Sequence, residues 1–579
     1  MAARSLPAWA LVLVTLLAGF PSEAGASGSL PEPRPAPAAD VSLPGTGAVS
    51  ALSTSVVHAP QPASGLRPPA PARDDDDEDL QPLRSFQKLV RRASARNEFQ
   101  ELSVSDVRRR VGDLLLWERR TPGHEREVDQ ALLDLLGLCI DPERPALDLD
   151  DAKLTSAERD TIDARLRTSL ARSLATRLDT QSARWIAREV LMIPRAHARS
   201  RRVAAAWLMA RERHEEGLMA LLILARGDDV GLSELAILGL AGWEHPSVHD
   251  LFLEVWRDPP QEFPYSALAA VERHYSGFRF QGRNPLEARL ADVIKIKIGS
   301  VVWQEASRAV ALTRPLTDEV AVPLLIEALQ IWVGRGEAGR QSLRLQFEIV
   351  NALEERSGRS IGLHVKRWET WWRAVRRGET PLVADDDDPR TVAQFFGLRP
   401  MSDRIAFLID RSGSMKDPFE PDGRSVAPGR WSRYDEAVQQ MIDFLRTLGP
   451  ACRFRLAVFS NGSDVWHKDL RPADARNLKS ARNWLLSRRP DGGTNLRGGV
   501  ERALDLKRGV IDVETLGIDT VVVLCDGATD EGSAWVEGFL ERVNSEARIV
   551  FHCVQIGDFG DGTLEALARH TGGDFVRQR

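Results

Sequence analysis

The hydrophobic period of this chain changes once, near residue 390, and that change divides it into two kinds of fold. From about residue 80 to 377 apolar residues recur at helical spacing: Leu218, Leu221, Leu222 and Ala225 share one face, as do Val322, Leu325, Ile326 and Leu329. After the acidic, turn-rich stretch 380–390, short apolar runs alternate with amphipathic segments, the pattern of a parallel sheet wrapped by helices. A length of 579 residues exceeds one ordinary core, and 43% apolar with 28% charged residues describes a soluble multidomain chain. A formal net charge of -6 gives no general attraction to nucleic acid, and the basic run at 195–202 reads as a solvated helix face.

The N-terminus carries Arg4, an apolar segment at 8–20 and then Ala24-Gly25-Ala26, the order of a secretory signal, so residues 1–26 read as a signal peptide. That apolar segment is short for a bilayer, and no Cys follows Ala26 to take a lipid. The expectation is an exported protein, periplasmic or secreted, without stable membrane insertion; an uncleaved anchor is the alternative. Residues 27–79 are rich in Pro and Ala and end in the acidic run 74–79, which suits a mobile spacer. Cys139, Cys452, Cys525 and Cys553 lack the spacing of a zinc site or a disulfide framework and read as buried free thiols.

Within 80–380, Gly227-Asp228-Asp229, Glu244-His245-Pro246 and Asp258-Pro259-Pro260 punctuate the helical pattern into helices of about 10 to 17 residues, the lengths of paired-helix repeats. Residues 236–256 read as two helices around a tight turn, which resembles a HEAT-type unit with a degenerate period. Trp368, Trp371 and Trp372, after Gly362, resemble the closing pair of some bacterial HEAT-like arrays and are read as core or cap. His245 and His249 are four residues apart, but Pro246 interrupts them and no other ligand is near, so no chemistry is assigned to them.

A second acidic linker, 381–400, leads into a domain at 401–579. Its order is strand 404–409, helix 432–448, strand 454–459, a short strand near Val465, and helices 472–486 and 496–506. Strand 520–525, helix 534–543, strand 549–556, helix 564–570 and a last strand near Phe575 follow. The first helix presents Tyr434, Ala437, Val438, Met441, Ile442 and Leu445 on one face, which must cover a sheet. The fold class is therefore an all-α HEAT-like array followed by an α/β doubly wound, Rossmann-like domain with a mainly parallel sheet.

Open α/β sheets hold ligands at the carboxyl ends of their strands. The first strand ends in Asp410-Arg411-Ser412-Gly413-Ser414, strand 520–525 delivers Asp526-Gly527, and the loop Asp491-Gly492-Gly493-Thr494-Asn495 brings a threonine. Asp, Ser and Thr oxygens are hard ligands suited to Mg²⁺, Mn²⁺ or Ca²⁺. Gly413 is expected to let the first loop curl, and Gly492 and Gly493 to permit backbone shapes closed to other residues.

DxSxS, a Thr after Gly-Gly and a later Asp behind an apolar strand resemble the metal-ion-dependent adhesion site of von Willebrand factor A domains, here of a bacterial exported type. The resemblance covers 401–579. It implies that Ser412, Ser414 and Thr494 bind a divalent cation, most simply Mg²⁺, that Asp410 and Asp526 complete its shell, and that a partner protein supplies an Asp or Glu. Neutral hydroxyl ligands would leave the ion positive enough to attract that carboxylate. Residues 416–431 form a long insertion beside this site. The chain stops soon after Phe575, which leaves little room for the mobile final helix of integrin-like versions.

No Ser-His-Asp order, phosphate-binding glycine loop or paired catalytic carboxylates accompany these residues, which points away from an enzyme. The leading expectation is a non-enzymatic protein that binds a protein partner through the cation, with the helical array as a second interaction surface. The alternative is a scaffold subunit in which the array does the binding and the metal is structural.

Overall fold

The computed structural model describes residues 80–96, 103–141, 145–148, 162–193, 195–337, 343–379, 395–398, 402–419, 431–507, 510–527, 529–557 and 559–578. The segments read as signal peptide and spacer, most of 381–400 and most of 416–431 lie outside the described residues.

Among the described residues, fifteen α-helices occupy the first part of the chain. They begin with α1 (Gln81–Arg96), α2 (Val104–Arg120), α3 (Glu125–Leu138), α4 (Ile162–Ala175) and α5 (Thr180–Trp185). Next come α6 (Arg199–Glu212), α7 (Leu218–Leu224), α8 (Val230–Leu240), α9 (Pro246–Arg257) and α10 (Pro264–Ser276). The last five are α11 (Pro285–Ile298), α12 (Trp303–Ala311), α13 (Asp318–Glu337), α14 (Leu343–Ser357) and α15 (Val365–Arg376).

The local signals for these helices are chemical. Asp229 and Asn284 accept backbone N–H bonds as N-caps of α8 and α11, and Pro246, Pro264 and Pro285 open their helices where a missing N–H costs nothing. His245, four residues before His249, proves to be the N-cap of α9.

From α8 onward alternate helices stack, with α8, α10, α12 and α14 in one layer and α9, α11, α13 and α15 in the other. The first layer's helices begin at Val230, Pro264, Trp303 and Leu343, so the repeat drifts between about 34 and 40 residues, which is why no strict period is visible in the sequence. Two buried tryptophans tie the second layer: Trp256 donates to the Val293 carbonyl at 2.8 Å and Trp332 to that of Ile298 at 2.9 Å. Trp368 and Trp371 of α15 are buried in the same core, and Trp372 packs on its edge.

The second part is a seven-stranded sheet, β1 (Arg404–Asp410), β2 (Arg453–Phe459), β3 (Ser463–Val465), β4 (Arg471–Pro472), β5 (Thr520–Cys525), β6 (Val550–Ile556) and β7 (Phe575–Gln578). Its order is β3-β2-β1-β5-β6-β7; β3 and β4 pair antiparallel with β2, and the other pairs are parallel. Helices α16 (Arg433–Leu448) and α17 (Ala475–Leu486) cover one face, and α18 (Leu496–Ala503), α19 (Ala534–Phe539) and α20 (Thr563–Thr571) the other. Alternation along β1 feeds both cores, Ile405, Phe407 and Ile409 on one side and Ala406 and Leu408 on the other.

Among the helix boundaries that differ from the sequence reading, two follow directly from local chemistry. Pro472 belongs to β4, because Asp474 caps α17 and starts it at Ala475. Helix α18 ends at Ala503, since Asp505 takes a left-handed φ of 56° and turns the chain. Phe395, Phe396 and Leu398, inside the 381–400 segment, pack into the core beneath α16.

The two parts meet at the end of the sheet opposite the strand carboxyl termini. Helices α10, α12 and α14, all from one layer, face the chain just before β5 and β6. Arg344 donates to the Asp519 carbonyl, Gln304 to that of Val513 at 3.3 Å, and Arg548 to Ser307 Oγ at 2.8 Å. Among the described residues no helix is long and apolar enough to cross a membrane.

Candidate functional site

Sheet order places β1 and β5 side by side, and the chain winds away from them in both directions, through β2 and through β6. The crevice at their carboxyl ends is the topological switch point, where such sheets bind ligands. Asp410 ends β1 and Asp526 follows β5, so register alone brings the two carboxylates to one edge.

Side chains complete the cluster. Ser414 Oγ donates to Asp526 Oδ1 at 2.9 Å and lies 3.1 Å from Ser412 Oγ. The Ser412 backbone N–H donates to Asp410 Oδ1 at 2.7 Å. Asp410, Ser412 and Asp526 are buried, whereas Ser414 is exposed and Thr494 half-buried. Burial pushes the Asp410 carboxyl up to about 6, against hydrogen bonds from Cys525 and Ser412 that favour its charged form.

The third loop is tied to the first by its backbone: Gly413 N–H donates to the Gly492 carbonyl at 3.0 Å and Asp491 N–H to that of Arg411 at 2.7 Å. Gly492 has φ +88°, a conformation that L side chains rarely adopt. At Gly493 a Cβ would stand 2.8 Å from Asn461 Oδ1, the atom that accepts its N–H. Gly413 does not need a left-handed backbone; its part is to open a short 3₁₀ turn over Gly413–Lys416. The structure therefore joins Asp410, Ser412, Ser414 and Asp526 by hydrogen bonds and brings the Thr494 loop against them.

Four neighbours were not read from the sequence. Arg433 donates from Nη1 to Asp526 Oδ2 at 3.0 Å. The Cys525 thiol donates to Asp410 Oδ2 at 3.0 Å. Asn461 and Asp530 hold the Gly493 and Thr494 amides. Arg433 begins α16, whose apolar stripe drew attention to its other face; the sequence signal was its place just after the capping-box residue Ser432. The insertion is pinned where it leaves and returns, by pairing of Pro418 with Ser432 and by Phe419 N–H donating to the Trp431 carbonyl at 3.1 Å.

The donor set is two carboxylates and up to three hydroxyls, all oxygen, which fits a hard divalent cation. No group of three or more His, Cys, Asp or Glu suited to a metal is found among the described residues, as expected where hydroxyls supply most donors. A carboxylate as deeply buried as Asp410, whose hydrogen-bond donors are a neutral thiol and an amide, is costly without a cation.

Residues 403–576 match the family model described as the von Willebrand factor type A domain. A stretch of 183 residues is 29% identical to inter-alpha-trypsin inhibitor heavy chain H4 of Homo sapiens, covering 31% of this chain and 18% of that one. Over 189 residues the chain is 28% identical to heavy chain H3 of Rattus norvegicus, covering 31% and 20%. The match thus spans a fifth or less of these curated relatives. The solved structure of proximal thread matrix protein 1 from the mussel byssus is 21% identical over 30% of this chain and 40% of its own, with a TM-score of 0.22.

Proposed function

We propose, from a von Willebrand factor type A domain at residues 403–576 behind an all-helical region, that this chain binds a protein partner through a divalent cation. Asp410, Ser412, Ser414, Thr494 and Asp526 would hold the ion, with Mg²⁺ favoured by the hard, partly neutral donor set. When bound, the ion supplies a positive charge to which an Asp or Glu of the partner can bind. The observation that supports this most directly is the hydrogen-bonded contact of Ser414 with both Ser412 and Asp526 at the switch point.

The chain's own residues would prepare the site. Cys525 and the Ser412 amide fix both oxygens of Asp410, Asn461 and Asp530 fix the Thr494 loop, and Arg433 holds the far oxygen of Asp526. Ser414 and Asp526 are in contact as a hydroxyl and a carboxylate, but as ligands both would be engaged by the cation rather than left as nucleophile and base, which favours recognition over catalysis. Export rests on Arg4, the apolar segment and Ala24-Gly25-Ala26, and would place partner binding in the periplasm or outside the cell.

The test is calorimetric titration of Mg²⁺ into the full chain and into Asp410→Asn, with pull-down from envelope extract in Mg²⁺ and in EDTA. Saturable Mg²⁺ binding lost in Asp410→Asn, together with captured proteins that EDTA releases, supports the reading. Capture that persists in EDTA and in Asp410→Asn would favour the scaffold reading, to which the Arg548–Glu272 ion pair joining the array to the α/β domain lends support.

A further inference from the structure

Between the helical array and the α/β domain lies a cavity of about 480 Å³, far from Asp410 and Asp526, walled by α10 and α12 on one side and by residues 540–549 and 570–572 on the other. Five arginines, Arg273, Arg308, Arg314, Arg344 and Arg548, line it together with His570, and its acidic lining residues are Glu272 and Glu541.

The ion pairs do not balance this charge. Glu272 is shared by Arg308, at 2.8 Å, and Arg548, at 2.6 Å. Glu541 pairs with Arg273 at 3.3 Å, and Arg344 is matched from behind the wall by Glu348 at 2.8 Å. With Glu546, whose charge also acts on Arg308, four carboxylates thus face five guanidinium groups. No hydrogen bond or ion pair of the Arg314 side chain is found among the described residues, and that side chain stands at the cavity's exposed rim.

Arg308 makes the imbalance acute. Its side chain is 1% exposed, it donates to Glu272 and to the Ser545 carbonyl, and its Nε–H has no partner. A buried donor left unpaired costs about 1–3 kcal/mol. Burial pulls this guanidinium down to about 10, even against the attraction of Glu272. A water molecule could accept from Nε, but it would leave the excess positive charge in place.

We infer that this cavity is a binding site for a small multivalent oxyanion, a molecule bearing a phosphate group or more than one carboxylate. Its volume is within the range of about 300–1,000 Å³ usual for small-molecule sites and exceeds the needs of a lone inorganic ion. Its cationic lining comes from both parts of the chain, so a bound anion clamps the array to the sheet. The inference is independent of the cation reading, since the site lies at the opposite end of the strands.

The test is calorimetry and thermal unfolding of the full chain with inorganic phosphate, pyrophosphate and citrate, at ionic strength matched with sodium chloride. Saturable binding with a Kd of about 1 mM or tighter and a raised unfolding midpoint are expected for at least one of them. Arg314→Gln, which removes no contact seen within the fold, should weaken that binding about tenfold while leaving the anion-free midpoint unchanged. Comparing phosphate and pyrophosphate with citrate separates phosphate from polycarboxylate ligands. No saturable binding of any of the three would mean that ordered water alone satisfies Arg308 and would overturn the inference. Binding that survives unchanged in both Arg314→Gln and Arg273→Gln would do the same by placing the anion elsewhere.

Discussion

Arg433 reaches from the first turn of α16 to donate a hydrogen bond from Nη1 to Oδ2 of Asp526 at 3.0 Å, while Ser414 donates to the other oxygen of that carboxylate. A guanidinium therefore stands beside a residue proposed to hold a cation. It orients the carboxylate and lowers the negative charge the ion would meet. Arg433→Gln should keep a donor near Asp526 but remove the charge, and tighten Mg²⁺ binding about fivefold, the worth of about 1 kcal/mol for a partly exposed charge pair. Arg433→Lys should stay near the wild-type affinity. Calorimetry at low salt reads the difference, which should shrink as salt screens it; weaker binding in Arg433→Gln would show that orientation outweighs charge.

The two oxygens of Asp410 accept from the Ser412 amide and the Cys525 thiol, so its buried charge is solvated only by neutral donors. Relieving that charge should not harm the metal-free fold. Asp410→Asn is expected to unfold in EDTA at the same temperature as wild type or higher, yet to gain nothing from added Mg²⁺. Wild type should gain about 2.7 kcal/mol at a Mg²⁺ concentration one hundred times its Kd. Equal Mg²⁺ stabilisation of the two proteins would remove Asp410 from the ligand set.

The outline of this site was legible because its main residues follow apolar runs, and a run that ends in Asp marks a strand end. Asp410 and Asp526 come to one edge because β1 and β5 are neighbours, which parallel-sheet topology makes an economical inference. Arg433, Asn461 and Asp530 were not legible in the same way. Each acts through a side chain that crosses from another loop or helix, and no spacing rule links such residues. Likewise the paired layers of the array are set by stacking of α8 through α15, whereas the sequence shows each helix's own apolar stripe and the turns between helices but not which helices stack. The arginine-lined joint was invisible for the same reason: Glu272 and Arg548 are 276 positions apart yet share two hydrogen bonds.

Glu272 is the shared counter-charge of Arg308 and Arg548, and those two attractions hold its carboxyl below the usual range although burial works in the opposite direction. Glu272→Gln would leave both guanidinium groups at the joint without their common anion. Breaking a buried pair in this way costs about 3–5 kcal/mol. Urea unfolding of the full chain should show a correspondingly lower midpoint, with the array and the α/β domain losing their common transition. A midpoint within experimental error of wild type would mean that the joint is held by its other contacts.

Buried His274 and half-buried His249 form a second pair, inside the array, and it fixes a pH dependence. The Gly242 N–H donates to His274 Nδ1 at 3.1 Å, so the ring proton of His274 sits on Nε2, which faces His249 Nδ1 at 2.9 Å. A further proton on His274 must break the bond to Gly242, and burial pulls this imidazole down to about 3. The unfolded chain takes up that proton near pH 6.5, whereas the folded chain does not until about pH 3. Protons therefore favour unfolding across that window: stability is complete above pH 6.5 and falls as the pH drops, by up to about 1.4 kcal/mol per unit. Burial lowers His249 in the same direction, so both rings contribute to the slope. Denaturant midpoints at about pH 7.5 and about pH 5 should differ in wild type. His274→Gln keeps an acceptor available to Gly242 but cannot titrate, so its midpoint should fall less between the same two conditions; an identical fall in both proteins would assign the slope to other groups.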